Sequence, residues 1–294
     1  PTLSLKGNMA SNSLILNRLF THSVFQDLIR NEKSKVYSSV VAKYIDNVSY
    51  KKNIDIFEEI YSLMSKKYRN EYFYKNTLLT KLLLHKHNLA STVALTQIPI
   101  GKSKADFVLI NGKATVYEIK SELDNYNRLE SQLVDYFKAF NNVCVVAPEC
   151  EFEKLEDMLS STPVGIYCLT TRNTFSKNKK KEPITCDSEL EHRSIFRVLR
   201  KHEYESVIKE YFGEIPASSQ VHHYNTCLDK FSSIPIQDAY RLSLAIMKKR
   251  GQRVASQIKH APYFLNSVLY FLNPSNKDFE SLFAFLDKPF EGDA

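Results

Sequence analysis

Hydrophobic and polar positions alternate along this chain with two different periods. From residue 13 to 68 apolar residues recur at three- and four-residue spacing, as in "SLILNRLFTHSVFQDLIRN" and "IDIFEEIYSLMSKKYRN", so this stretch predicts helices. "NEYFYKNTLLTKLLLHKHNL" continues the period and predicts a long helix over about 70–88. The period then shortens. "TVALTQIPI" (92–100), "ADFVLI" and "ATVYEIK" are β-branched runs that predict strands, the last two joined across Asn111-Gly112. "NYNRLESQLVDYFKAFNN" predicts an amphipathic helix at about 125–140, and "VCVVAP" (143–148) a buried strand. "EFEKLEDMLSS" predicts another helix and "VGIYCLT" (164–170) another buried strand. From 187 onward the pattern is helical again, broken near Gly213–Pro216, Pro235 and Pro274.

The order over 70–170 is α-β-β-β-α-β-α-β, which implies an α/β fold with a mixed sheet and helices on both faces. The expected organisation is a helical region over 1–69, the α/β core over 70–170, a basic linker or loop over 171–186 ("TRNTFSKNKKKEP") and a helical region over 187–294.

One hairpin does not fit a purely apolar sheet. In "KADFVLINGKATVYEIKSE" (104–122) Asp106 opens the first run, while Glu118 and Lys120 alternate with Tyr117 and Ile119 in the second. Residues two apart on a strand share a face about 6.6 Å apart, so Glu118 and Lys120 project together. A lysine in a buried strand loses its hydration at high cost unless acids compensate. Two close carboxylates repel unless a cation holds both as anions, and hard oxygen ligands suit magnesium. The hairpin register is a sharp condition on this site. A two-residue Asn111-Gly112 turn would send Asp106 and Glu118 to opposite faces. An odd loop of Ile110, Asn111 and Gly112, with Gly112 left-handed, would put Asp106 across from Val116 and on the face of Glu118 and Lys120.

These residues resemble the PD-(D/E)XK nuclease superfamily, with its restriction-endonuclease-like α-β-β-β-α-β core: Asp106, eleven residues, then Glu118-Ile119-Lys120. "QLVDY", from Gln132 to Tyr136, is similar to the Gln-x-x-x-Tyr motif of the RecB-like branch. The block 104–140 also resembles a bacterial family of uncharacterised proteins with a locus-tag name. Members usually carry a proline or small turn residue before the aspartate, and Ala105 stands there. The resemblance covers roughly 70–170. It implies that Asp106 and Glu118 hold Mg²⁺ or Mn²⁺, that Lys120 positions or activates water, and that Gln132 and Tyr136 shape the site. It also implies a glutamate on the first core helix, for which Glu71 is the candidate. The implied activity is metal-dependent phosphodiester hydrolysis, in DNA rather than RNA, in phage defence, repair or a mobile element.

Arg128, Gln132 and Tyr136 are spaced i, i+4, i+8 and form one stripe, so Arg128 is a candidate phosphate contact. Lys102 and Lys104 are candidates for steering a nucleic-acid backbone. Each has a plainer reading: an ion-pair cluster at a strand end for Asp106, Glu118 and Lys120, a solvated first-turn acid for Glu71, and solvated helix surface for Arg128. Lys179–Lys181 reads as a solvated loop or, less directly, as a backbone track. The alternative for the whole chain is a nucleic-acid-binding or regulatory module without turnover.

Composition changes this picture little. The 294 residues carry a net charge of +7, which favours polyanionic partners, and 43% apolar content supports a real core. The five cysteines include no CxxC pair, which favours reduced thiols and a cytoplasmic setting over a disulfide or zinc scaffold. No apolar run reaches transmembrane length. His85 and His87 are two apart, which is poor spacing for a metal pair on a helix, and His222 and His223 lack a third ligand. Cleaving both strands of a duplex with one site per chain would imply a homodimer.

Overall fold

A computed structural model describes residues 15–84, 91–122, 124–251 and 258–291. In chain order its elements are α1 (His22–Asn31), α2 (Lys35–Tyr44), α3 (Asn53–Lys67), α4 (Glu71–Leu78), β1 (Val93–Ile100), β2 (Ser103–Asn111), β3 (Lys113–Ile119), α5 (Leu129–Phe137), β4 (Val143–Pro148), α6 (Phe152–Leu159), β5 (Gly165–Leu169), β6 (Phe175–Lys181), α7 (His192–Val198), α8 (Lys201–Phe212), α9 (His223–Ser232), α10 (Ile236–Met247), α11 (Asn266–Leu272) and α12 (Asn276–Asp287). The fold is mixed α/β, built on one open six-stranded sheet in the order β1-β2-β3-β4-β5-β6. β1, β2 and β3 form an antiparallel meander, β3, β4 and β5 run parallel, and β6 returns antiparallel at the far edge.

The chain divides into two compact units, and the division differs from the expected one. The first unit joins residues 1–82 and 121–123 to 253–294, and the second takes 83–120 and 124–252. The helices at the two ends of the sequence therefore belong together rather than forming two separate regions. Periodicity shows that a helix has an apolar face but not which partner covers it. Here aromatic residues supply the match: Tyr37 stacks on Phe57 and meets Phe285 edge-on. Buried Asn53 fixes the pairing, accepting a hydrogen bond from the Tyr37 hydroxyl (2.8 Å) and donating to the carbonyls of Phe285 and Lys288 (both 3.0 Å).

The predicted helix over 70–88 starts at Glu71 and changes pitch after Leu78. Asn70 caps α4 by accepting from the Phe73 N–H at 3.0 Å, and a π-helical stretch follows over Leu79–Leu84. His85 and His87 lie outside the described residues.

In the second unit α5 to α10 pack with the sheet in one apolar cluster that includes Val108, Val116, Val145, Leu133, Phe137, Phe196 and Phe231. The other face of the sheet carries Phe107, Tyr117 and Tyr167, with ring centroids 6.0 and 6.1 Å apart. The helical breaks after 187 fall where expected. Gly213 takes the left-handed cap of α8 at φ 86°, and Pro235 precedes α10.

The basic stretch read as a linker is in fact the edge strand β6. An edge strand leaves one side open to water and tolerates lysines there, so charge alone did not distinguish strand from loop. Its lysines are also engaged. Lys179 pairs with Glu153 (2.6 Å), Lys180 with Glu182 (3.0 Å), and Lys181 reaches the carbonyls of Leu159 (2.5 Å) and Thr162 (2.8 Å).

Candidate active site at the end of the β2–β3 hairpin

The hairpin loop is odd, as the site requires, but the register sits two residues from the expected one. Ile110 faces Ala114, Asn111 faces Lys113, and Gly112 forms the apex at φ 71°. Burial explains the shift: Ile110 and Ala114 are both fully buried, and the expected register would have placed Ile110 in the loop. A two-residue shift preserves the faces. The ladder runs to Phe107–Tyr117, so the next positions along it are Asp106 on β2 and Glu118 on β3. Beyond that point the Asp106 side chain takes over from the backbone, its Oδ2 accepting from the Ile119 N–H at 3.0 Å. β3 meanwhile stays bound to β4, the Lys120 N–H donating to the Val146 carbonyl at 2.8 Å.

Glu118 and Lys120 are both buried, with 3% and 9% of their side-chain surface exposed, and Lys120 Nζ lies 3.0 Å from Glu118 Oε1. Removing two charges from water costs several kcal/mol per ion unless further hydrogen bonds complete the pair. Helix α5 supplies them. Gln132 Nε2 donates to Glu118 Oε1 at 2.6 Å, and Gln132 Oε1 accepts from Lys120 Nζ at 2.9 Å. One amide thus satisfies both ions. The Tyr136 hydroxyl stands 2.6 Å from Glu118 Oε2 and 3.0 Å from the Lys104 carbonyl. Burial, and next the negative charge of Glu118, push the Tyr136 phenol far above its ordinary value, so it remains a neutral donor.

α5 is itself fixed by Asp135, whose Oδ2 accepts from the Lys102 N–H (3.0 Å) and the Ser103 hydroxyl (2.8 Å). This ties the helix to the β1–β2 turn. Gly101 occupies that turn at φ 60°, and a Cβ there would lie 2.6 Å from Asp135 Oδ1. Sequence reasoning missed Asp135, which lies off the Arg128–Gln132–Tyr136 stripe. The available signal was Gly101 in "IPIGKS", a turn glycine that leaves room for a close neighbour.

The structure thus brings together Glu118, Lys120, Gln132 and Tyr136, with Asp106 half-buried on the adjoining strand. Arg128 is the exposed N-cap residue of α5. The side chains of Lys102 and Lys104 are also exposed, and their backbone groups are what serve the site. Glu71 belongs to the other unit, where it pairs with Lys75 in the first turn of α4.

The donor set can be tested against a cation. Among the described residues no three His, Cys, Asp or Glu side chains converge, which disfavours a closed zinc cage there. Magnesium needs less, taking one or two carboxylates and keeping several waters. Glu118 receives three donors against roughly four lone-pair positions, which leaves acceptor capacity at Oε2. The carboxylates at this end of the hairpin are those of Glu118 and, on the adjoining strand, Asp106.

Among the described residues no helix is long and apolar enough to cross a membrane. Comparison with curated proteins finds no match, and comparison with solved structures finds none either. The family model described as bacteriophage P4 protein cII matches residues 64–261, a span that takes in the whole sheet and α5 to α10. That is more than half of the chain, which therefore belongs to the bacteriophage P4 protein cII family.

Proposed function

We propose that this chain is a metal-dependent nuclease of the PD-(D/E)XK type, with a restriction-endonuclease-like core inside the mixed sheet, acting on phosphodiester bonds, most readily those of DNA. The observation that carries the reading is the buried Glu118–Lys120 pair, completed by Gln132 and Tyr136 and adjoined by a second carboxylate, Asp106. A sheet needs no such group for packing, and buried charges of this kind concentrate at working sites.

Asp106 and Glu118 would hold Mg²⁺ or Mn²⁺. When bound, the cation lowers the pKa of water and neutralises charge on the phosphate. Lys120 offers an ammonium at a fixed position, able to orient an attacking water and to stabilise negative charge on phosphate oxygens. Gln132 keeps Lys120 and Glu118 in register with each other, and the Tyr136 hydroxyl fixes the other carboxylate oxygen of Glu118. Lys102, Lys104 and Arg128, all exposed, would meet the nucleic-acid backbone. Glu71 enters only through the family resemblance. Action in the cytoplasm, in phage defence, repair or a mobile element, rests on fold analogy alone.

The test is a cleavage assay on labelled DNA and RNA, single- and double-stranded, with Mg²⁺, Mn²⁺ or EDTA, comparing the wild type with Lys120→Ala. Metal-dependent cutting that disappears in Lys120→Ala is expected. Binding without cutting by both proteins would instead assign a nucleic-acid-binding module.

A further inference from the structure

The alternation of β1 and β2 slips at one place. On β1 the core positions are Val93 and Leu95, then Ile98 and Ile100; on β2 they are Ile110 and Val108, then Ala105. The register is the same on either side, with Thr96 opposite Phe107 and Ile98 opposite Ala105, so no residue is inserted and the ladder skips only Gln97 and Asp106. Both strands rotate together, and Gln97 absorbs the rotation in the left-handed region at φ 55°. For a non-glycine residue this conformation costs about 1–2 kcal/mol. Strain of that kind persists where the surroundings over-determine it, and it clusters at functional sites.

The surroundings here are those of Asp106. Gln97 is exposed on the edge strand β1, with its Nε2 3.5 Å from Asp106 Oδ1. The adjacent Thr96 hydroxyl donates to the Asp106 carbonyl at 2.7 Å. The Ile119 N–H holds the other carboxylate oxygen, Oδ2. The carboxylate is thus addressed on one oxygen from β1 and on the other from β3, at the point where both strands rotate.

We propose that Gln97 is a positioning residue for Asp106. Its left-handed backbone sets the rotation of the strands beside the aspartate, and its carboxamide sets the orientation in which Oδ1 meets a divalent cation. This rests on the nuclease reading for the cation and adds a residue to it. Outer partners that orient a metal-binding carboxylate typically govern about 10-fold or more in metal affinity.

The test separates side chain from backbone. Gln97→Gly adopts φ 55° without strain, so its melting temperature should equal or exceed that of the wild type. Gln97→Asn also tolerates the left-handed region but has a carboxamide one methylene shorter. Mn²⁺ affinity would be read from the free-ion electron paramagnetic resonance signal, alongside thermal melts, with Asp106→Asn as the reference for a lost ligand. Roughly 10-fold weaker Mn²⁺ binding in Gln97→Gly, with no loss of melting temperature, supports the assignment. If Gln97→Gly melts lower, Gln97→Asn replaces it, and weaker binding at an unchanged melting temperature supports the assignment there. Wild-type affinity in the well-folded variant overturns the role of Gln97 and leaves the nuclease reading standing. Absence of Mn²⁺ binding by the wild type overturns both.

Discussion

Among its described residues the sheet-bearing unit buries two acid–base pairs, and they are built differently. Glu203 and Arg250 have 3% and 7% of their side-chain surface exposed. Arg250 grips both carboxylate oxygens of Glu203 and donates also to the Val198 carbonyl at 2.9 Å. The same glutamate caps the start of α8, its Oε2 accepting from the Arg200 N–H at 2.7 Å. The arginine fork closes that pair. The Glu118–Lys120 pair uses a compact ammonium instead, held by one carboxylate oxygen and one amide oxygen. It lies where the β2–β3 ladder ends, beside a second carboxylate. The first arrangement joins the start of α8 to Arg250; the second joins β3 to α5 through Gln132.

The contrast can be broken most forcefully through turnover. Lys120→Ala should lower metal-dependent cleavage by about 10²–10⁴-fold, the usual range for a group that assists proton transfer. Its stability cost should be smaller, about 1–3 kcal/mol by denaturant unfolding, since Gln132 and Tyr136 still donate to Glu118. Arg250→Ala should reverse the balance. It leaves Glu203 buried without its main partner, at a cost of about 3–5 kcal/mol, while cleavage measured below the melting temperature is retained.

Acid should act on the structural pair. Burial works to raise the Glu203 carboxyl, but hydrogen bonds from Arg250 and Arg200 outweigh it and hold the group below its ordinary value of 4.5. A depressed folded-state value contributes stability that is complete above the unfolded value and is lost as pH falls through the folded one. Melting temperature should therefore decline below about pH 4.5, and the decline should be shallower in Glu203→Gln. The smallest effect belongs to the turn that carries α5. Gly101→Ala meets Asp135 and an unfavourable φ together and should destabilise by about 1–2 kcal/mol, partly relieved when combined with Asp135→Ala.

Much of the sheet and the centre of the site could be read from residues alone. β-branched and continuous apolar runs bounded by turn residues located β1 to β5, because strands buried on both faces read as short unbroken apolar runs. The parity of the hairpin loop followed from requiring Asp106 and Glu118 on one face, whereas its register depended on burying Ile110, a tertiary effect. β6 escaped notice because its lysines look the same in a loop and on an open edge. The union of the terminal helices escaped because aromatic faces do not name their partners. Gln97 and Asp135 belong to no motif, and their importance lies in a backbone angle and a turn contact that only three dimensions display.

The most direct measurement is cleavage of labelled DNA in Mg²⁺, Mn²⁺ or EDTA by the wild type, Lys120→Ala and Arg250→Ala, all below their melting temperatures. The account predicts metal-dependent cutting by the wild type and Arg250→Ala, and its loss in Lys120→Ala. Undiminished cutting by Lys120→Ala, or none by the wild type with any metal, would contradict it.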